Sequence, residues 1–105
     1  MIVDEVMEDN GWTDEYFRKQ IKPICDAAII ELNVLGVNTV CDSNECSFEE
    51  YIVEPNIRSL ARNYIDIYVR LQFDPPQNTR QIEVLDSSLK RLTSRIKDVC
   101  DLKII

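Results

Sequence analysis

NIRSLARNYIDIYVRLQFDPP, Asn56 to Pro76, is the longest stretch of the chain whose apolar residues keep a helical rhythm. Ile57, Leu60, Ala61, Tyr64, Tyr68 and Leu71 recur at steps of three or four residues, which sets them on one face of a helix. Ile65, Ile67, Val69 and Phe73 widen that face until only a narrow polar strip of Arg58, Arg62, Asp66 and Arg70 is left. A helix apolar around most of its circumference belongs inside a domain, with other elements packed on several sides. Pro75 and Pro76 stop it, because proline has no amide hydrogen to give and pushes the preceding residue out of the α region. The remaining elements must therefore arrange themselves around a central helix that turns a corner at Asp74, Pro75 and Pro76.

Upstream, Ile2 to Asn10 predicts a short helix with Ile2, Val3, Val6 and Met7 on one side, broken by Asn10-Gly11. A second helix is expected from about Asp14 to Leu35, with Thr13 as its N-cap and Gly36 as its C-terminal cap. Pro23 should kink or restart it. Residues 37–54 read as irregular and acidic until Pro55 opens the central helix. Downstream, Asn78 caps a last helix over about Thr79 to Cys100, with Gln81 completing a capping box. Its apolar residues Ile82, Leu85, Leu89, Leu92, Ile96 and Val99 form a narrow heptad seam, and the rest of its circumference is polar or charged. DLKII closes the chain with an apolar tail, to be covered by the body or by another subunit. The expected fold is all-α: a compact bundle of about four helices in a single domain over 1–105, with one irregular acidic loop and the apolar C-terminal tail.

The totals fit one globular domain: 105 residues, 45% hydrophobic and 30% charged. No apolar run approaches the roughly 20 residues of a membrane span, and the acidic start MIVDEVMEDNGW is unlike a secretory signal, so a cytoplasmic protein is the default. The net charge of −7 is unevenly spread: residues 42–54 hold five acids and no base, whereas residues 55–105 hold six acids and nine bases. Such segregation suits a chain that meets copies of itself or a partner with one end, though a solvated acidic face is the plainer reading. The acidic total argues against non-specific nucleic-acid binding, which needs a concentrated basic surface. With no histidine, no nucleophile elbow, no phosphate loop and no metalloprotease motif, the chain lacks the usual ingredients of an active site, and no enzymatic activity is expected. The four cysteines lack the paired spacing of a zinc site and are read as free thiols, Cys25 and Cys100 as small core hydrophobes. No metal or cofactor is expected.

YIDIYVRLQFDPPQNTRQIEVLDSSLKRLTSRI, residues 64–96, resembles the C-terminal half of the small head–tail connector proteins of tailed bacteriophages. The likeness rests on an apolar helix ending in V-R-L-x-F-D-P-P, here Val69 to Pro76, then a small polar turn and a last amphipathic helix. DEYFRKQIKPICDAAIIELNVLGV, residues 14–37, is similar to that family's first long helix, while the acidic Cys41–Glu54 segment departs from its pattern. The resemblance implies a helical structural subunit, without catalysis, that forms a homo-oligomeric ring below the portal at the head–tail junction of the virion. It would complete the DNA-filled head and dock the tail, with portal and tail or stopper proteins as partners, passive contact with DNA in the channel, no membrane, and residence in the host cytoplasm before assembly. A ring needs unlike surfaces that complement one another. The candidates are Glu45, Glu49, Glu50 and Glu54 against Arg91, Arg95 and Lys97, with the tail residues Leu102, Ile104 and Ile105, and Asp74, Pro75 and Pro76 as the structural turn. The rival reading is a small acidic inhibitor that binds a nucleic-acid enzyme by imitating DNA charge, against which the nine bases after residue 54 count.

Overall fold

The structure, a computed structural model, describes residues 2–37, Ser47 and 55–103. They form four helices: α1 (Ile2–Asp9), α2 (Glu15–Val34), α3 (Pro55–Phe73) and α4 (Thr79–Lys103). The all-α bundle expected from the sequence is the observed architecture. The acidic loop, with Cys41, Glu45, Glu49, Glu50 and Glu54, lies outside the described residues, as do Ile104 and Ile105.

The core takes in part of the face predicted for the central helix, whose Leu60, Ile67, Tyr68 and Leu71 are only half-buried. Ile57, Ala61, Tyr64, Ile65 and Val69 of α3 are buried together with Ile2, Val3, Val6 and Met7 of α1, Ile21, Cys25, Ala28, Ile29 and Leu32 of α2, and Ile96 and Cys100 of α4. α3 thus packs against the other three helices, as its wide apolar face requires. Each buried aliphatic side chain contributes about 1.5–3 kcal/mol relative to exposure, which makes this shared cluster the main source of stability.

Both glycines of the chain end helices in the same way. After α1, the amide of Gly11 donates to Glu8 O (3.1 Å) and that of Trp12 to Met7 O (2.8 Å), with Gly11 at φ 73°. After α2, the amide of Gly36 donates to Asn33 O (3.1 Å) and that of Val37 to Leu32 O (3.1 Å), with Gly36 at φ 104°. Each is a Schellman motif, in which a left-handed residue lets two amides satisfy the last helical carbonyls. Val37 and Leu32 are both buried, so the second motif also has its hydrophobic contact. A Cβ on Gly36 would come to 3.3 Å from Cys100 Cβ of α4, whereas one on Gly11 would meet nothing within 4 Å.

One local expectation is corrected and another is narrowed. The N-cap of α2 is Asp14 and not Thr13: Asp14 Oδ1 accepts from the amide of Tyr16 at 2.9 Å. A carboxylate there also meets the positive end of the helix dipole, which a threonine hydroxyl cannot do. Helix α2 also passes through Pro23 without restarting. Its buried residues on both sides of Pro23, Ile21 and Cys25, hold the helix to α3 where one amide bond is lost.

Candidate interaction surface at the elbow between α3 and α4

Phe73 ends α3, and its ring is held edge-on by Trp12 (5.1 Å between centroids, 76°) and Phe17 (5.3 Å, 65°). Such edge-to-face pairs add roughly 0.5–1.5 kcal/mol each beyond their burial. The amide of Asp74 still donates to Arg70 O at 3.1 Å, and the two prolines then end the helix. Asn78 restarts it: its side-chain oxygen accepts from the amide of Arg80 (2.8 Å) and its carbonyl from Ile82 (3.1 Å). The N-cap expected at Asn78 is therefore present. Gln81, expected to complete a capping box, instead lines an open hollow at the elbow.

That hollow, of about 330 Å³, is bounded by Arg70 of α3, by Pro76, and by Arg80, Gln81, Val84 and Leu85 of α4. A second of about 340 Å³ continues from it along α4, sharing Arg80 and Val84 and adding Glu83, Ser87, Ser88 and Arg91. Across both, three arginines face a single acid, Glu83. Among the described residues none of these arginines is in an ion pair. Val84 stands between them, 58% exposed.

The heptad seam of α4 does face inward, but unevenly. Ile96 is fully buried, Leu89, Leu92 and Val99 are half-buried against the core, and Ile82 and Leu85, toward the elbow, are half-buried without joining it. Of the basic residues singled out from the sequence, Arg91, Arg95 and Lys97 are all exposed on α4. Helical spacing divides them: Arg80, Val84, Ser87, Arg91 and Arg95 follow one stripe at steps of three and four, and Lys97 falls off it. Arg70, Arg80 and Val84 were missed by sequence reasoning. The available signal was Val84 itself, a β-branched residue out of register with the seam.

A second cluster lies between α1 and α3. Arg62 grips the Asp9 carboxylate with two parallel bonds of 2.8 Å and reaches Glu5 at 3.8 Å. This fork holds the Asp9 carboxyl below its ordinary range, against the opposing effect of burial. One turn on, Asp66 is driven the other way: burial first, then the neighbouring Asp9, push it up to about 8. Its Oδ1 is sealed from water without a partner among the described residues. A protonated Asp66 beside an ionised Asp9 is a structural clasp between helices. Cys25 is pushed up to about 12, chiefly by burial, so its thiol stays protonated and unreactive. Among the described residues no three histidine, cysteine or acidic side chains are grouped to hold a metal ion. No described helix is long and apolar enough to cross a membrane.

The arrangement is a pair of adjoining open hollows with an apolar centre and a cationic rim. A family of phage connector proteins matches the chain over residues 7–102. The chain belongs to that family. Its span takes in α2, α3, the elbow and nearly all of α4. Neither a curated protein nor a solved structure matches the chain. A phage connector role is structural, and it accords with a bundle whose polar chemistry ties helices together.

Proposed function

We propose that the chain is a non-catalytic subunit of a homo-oligomeric ring at the head–tail junction of a virion, below the portal, where it completes the DNA-filled head and presents a docking surface to the tail. Its partners are further copies of itself, the portal protein and tail or stopper proteins. It waits in the host cytoplasm until heads are packed, and touches DNA only passively in the channel. The observation that carries this reading is membership of the connector family across nearly the whole chain. The charge segregation supports it, because a ring is built from unlike surfaces meeting head to tail.

In this reading the acidic side chains Glu45, Glu49, Glu50 and Glu54 of one copy meet the basic face of α4 on the next. Arg91 and Arg95 share a stripe and bear most of that contact, with Lys97 at its margin. The apolar tail residues Leu102, Ile104 and Ile105 serve the neighbouring subunit, and Asp74, Pro75 and Pro76 set the direction in which α4 leaves the body. The test is charge reversal. Arg91→Glu with Arg95→Glu, both exposed, should leave the melting temperature of the isolated protein within a few degrees. The same variant should yield DNA-filled heads without tails when it replaces the wild-type protein during infection. Normal tailed particles from the variant would refute the contact, and normal particles from a phage lacking the protein altogether would refute the role.

A further inference from the structure

Four large hydrophobic side chains stand exposed among the described residues: Tyr16, Ile30, Val34 and Val84. Val84 occupies the middle of the cationic hollows of α4. Ile30 and Val34, 60% and 76% exposed, are one turn apart and so form a single apolar ridge at the end of α2. The surroundings of that ridge have the opposite sign to those of Val84. Glu31 lies three residues before Val34 and Asp26 four before Ile30, so both flank it. The last turn of α2 carries no basic residue, so the ridge sits at the negative end of its dipole with no positive side chain of its own helix beside it. One element thus offers an apolar ridge with acidic flanks, and the other an apolar floor with Arg70, Arg80 and Arg91 around it.

Within one copy the end of α2 lies against the other end of α4, where a Cβ on Gly36 would come to 3.3 Å from Cys100 Cβ. The hollow at the elbow is at the low end of the size range of small-molecule sites, and its one unburied aliphatic side chain suits a contact with another aliphatic group. Ile82 and Leu85 of the α4 seam are half-buried here and, unlike Leu89, Leu92 and Val99, stand outside the core cluster.

We infer that the end of α2, through Ile30, Glu31 and Val34, docks into the hollow formed by Arg70, Pro76, Arg80, Val84 and Leu85 of a second copy of this chain. The contact is heterologous, each copy using a different surface, so it propagates around a ring and does not stop at a symmetric pair. It rests on the proposal that the protein assembles with itself, and it names side chains for that assembly beyond the acidic segment and Arg91–Arg95. The patch is smaller than the roughly 1,200–2,000 Å² of a stable interface. It therefore acts as the apolar centre of a larger contact whose rim is charged.

The experiment measures self-association of the full-length protein by sedimentation velocity across concentration, and ring formation on portal-bearing heads by electron microscopy. Val34→Glu and Val84→Glu each bury a charge in the contact and should weaken association by more than about tenfold, with helicity and melting temperature unchanged because both sites are exposed in the single chain. Glu31→Arg and Arg80→Glu should each weaken it, and the two together in one chain should restore it to within about threefold of wild type, which a merely damaged fold would not do. If wild type forms rings and the Val34 and Val84 variants form them equally well, this contact is wrong while the ring proposal stands. If Val84→Glu blocks portal binding yet leaves self-association intact, a different protein occupies the hollow and the inference falls. If the wild type forms no ring in either assay, the ring proposal fails and takes this inference with it.

Discussion

The middle of α3 and the elbow beyond its end use similar residues to opposite effect. Along its middle, Ile65 and Val69 are sealed against α1, α2 and α4, and even its polar strip is consumed, with Arg62 forked onto Asp9 and Asp66 shut in behind. Beyond its last turn, at the elbow, apolar residues of the same kind stay partly in water: Val84 is exposed, Leu85 is half-buried, and Arg70, Arg80 and Arg91 form no ion pair among the described residues. The contrast separates residues that fold the subunit from residues held ready for contacts outside it. A fold that had to satisfy only itself would finish the seam of α4, and this one leaves it open at one end.

The comparison breaks most sharply at a pair of aliphatic substitutions. Ile65→Ala should cost roughly 2–5 kcal/mol in denaturant unfolding, as a fully buried isoleucine leaves a cavity. Val84→Ala should stay within about 0.5 kcal/mol. Equal losses would mean that the elbow is ordinary core. A smaller contrast separates the two glycines. Gly11→Ala forces only a left-handed φ on a side chain in open space and should cost about 1 kcal/mol. Gly36→Ala adds a 3.3 Å approach to Cys100 and should cost more, as it pries α4 from the end of α2. A melting temperature lowered more by the change at Gly11 would contradict that ordering.

A third contrast concerns the clasp. Asp66 has an ordinary value of 3.8 and is raised to about 8 in the fold, so between those values the folded chain binds more protons than the unfolded one. Stability therefore falls as pH rises through that window. Asp9 works in the opposite sense: it is lowered, so its contribution is present above the ordinary carboxylate value and is lost as pH falls below it. Asp66→Asn keeps the shape and removes the proton exchange. Melting temperatures measured from about pH 5 to about pH 9 should slope downward in the wild type and flatten in the variant, which becomes the more stable of the two at the alkaline end. Parallel slopes would show that Asp66 is not the titrating group.

Much of this was legible before any coordinates. The apolar rhythm of α3, the glycines that end α1 and α2, the prolines of the elbow and the cap at Asn78 are local signals, each governed by residues within a turn of one another. Thr13 and Asp14 were harder to separate, since both are good caps and the choice depends on which residue the incoming chain holds extended. Gln81 had the right spacing for a capping box and was drawn elsewhere by the elbow. The pairing of Arg62 with Asp9, 53 residues apart, has no local signature at all. Nor does the union of Arg70 with Arg80 around one hollow, because the corner that brings them together is itself a product of packing. Lys97 was grouped with Arg91 and Arg95 by proximity in sequence, and only helical phase separates it from them.

Phe73 has one more consequence, and it is optical. The ring that fixes the end of α3 rests on Trp12, the single tryptophan of the chain. Any movement of the elbow must change the surroundings of that indole, and no second indole is present to blur the signal. The protein thus carries its own emission probe at the corner from which α4 departs, readable in the free subunit and in the assembled particle alike.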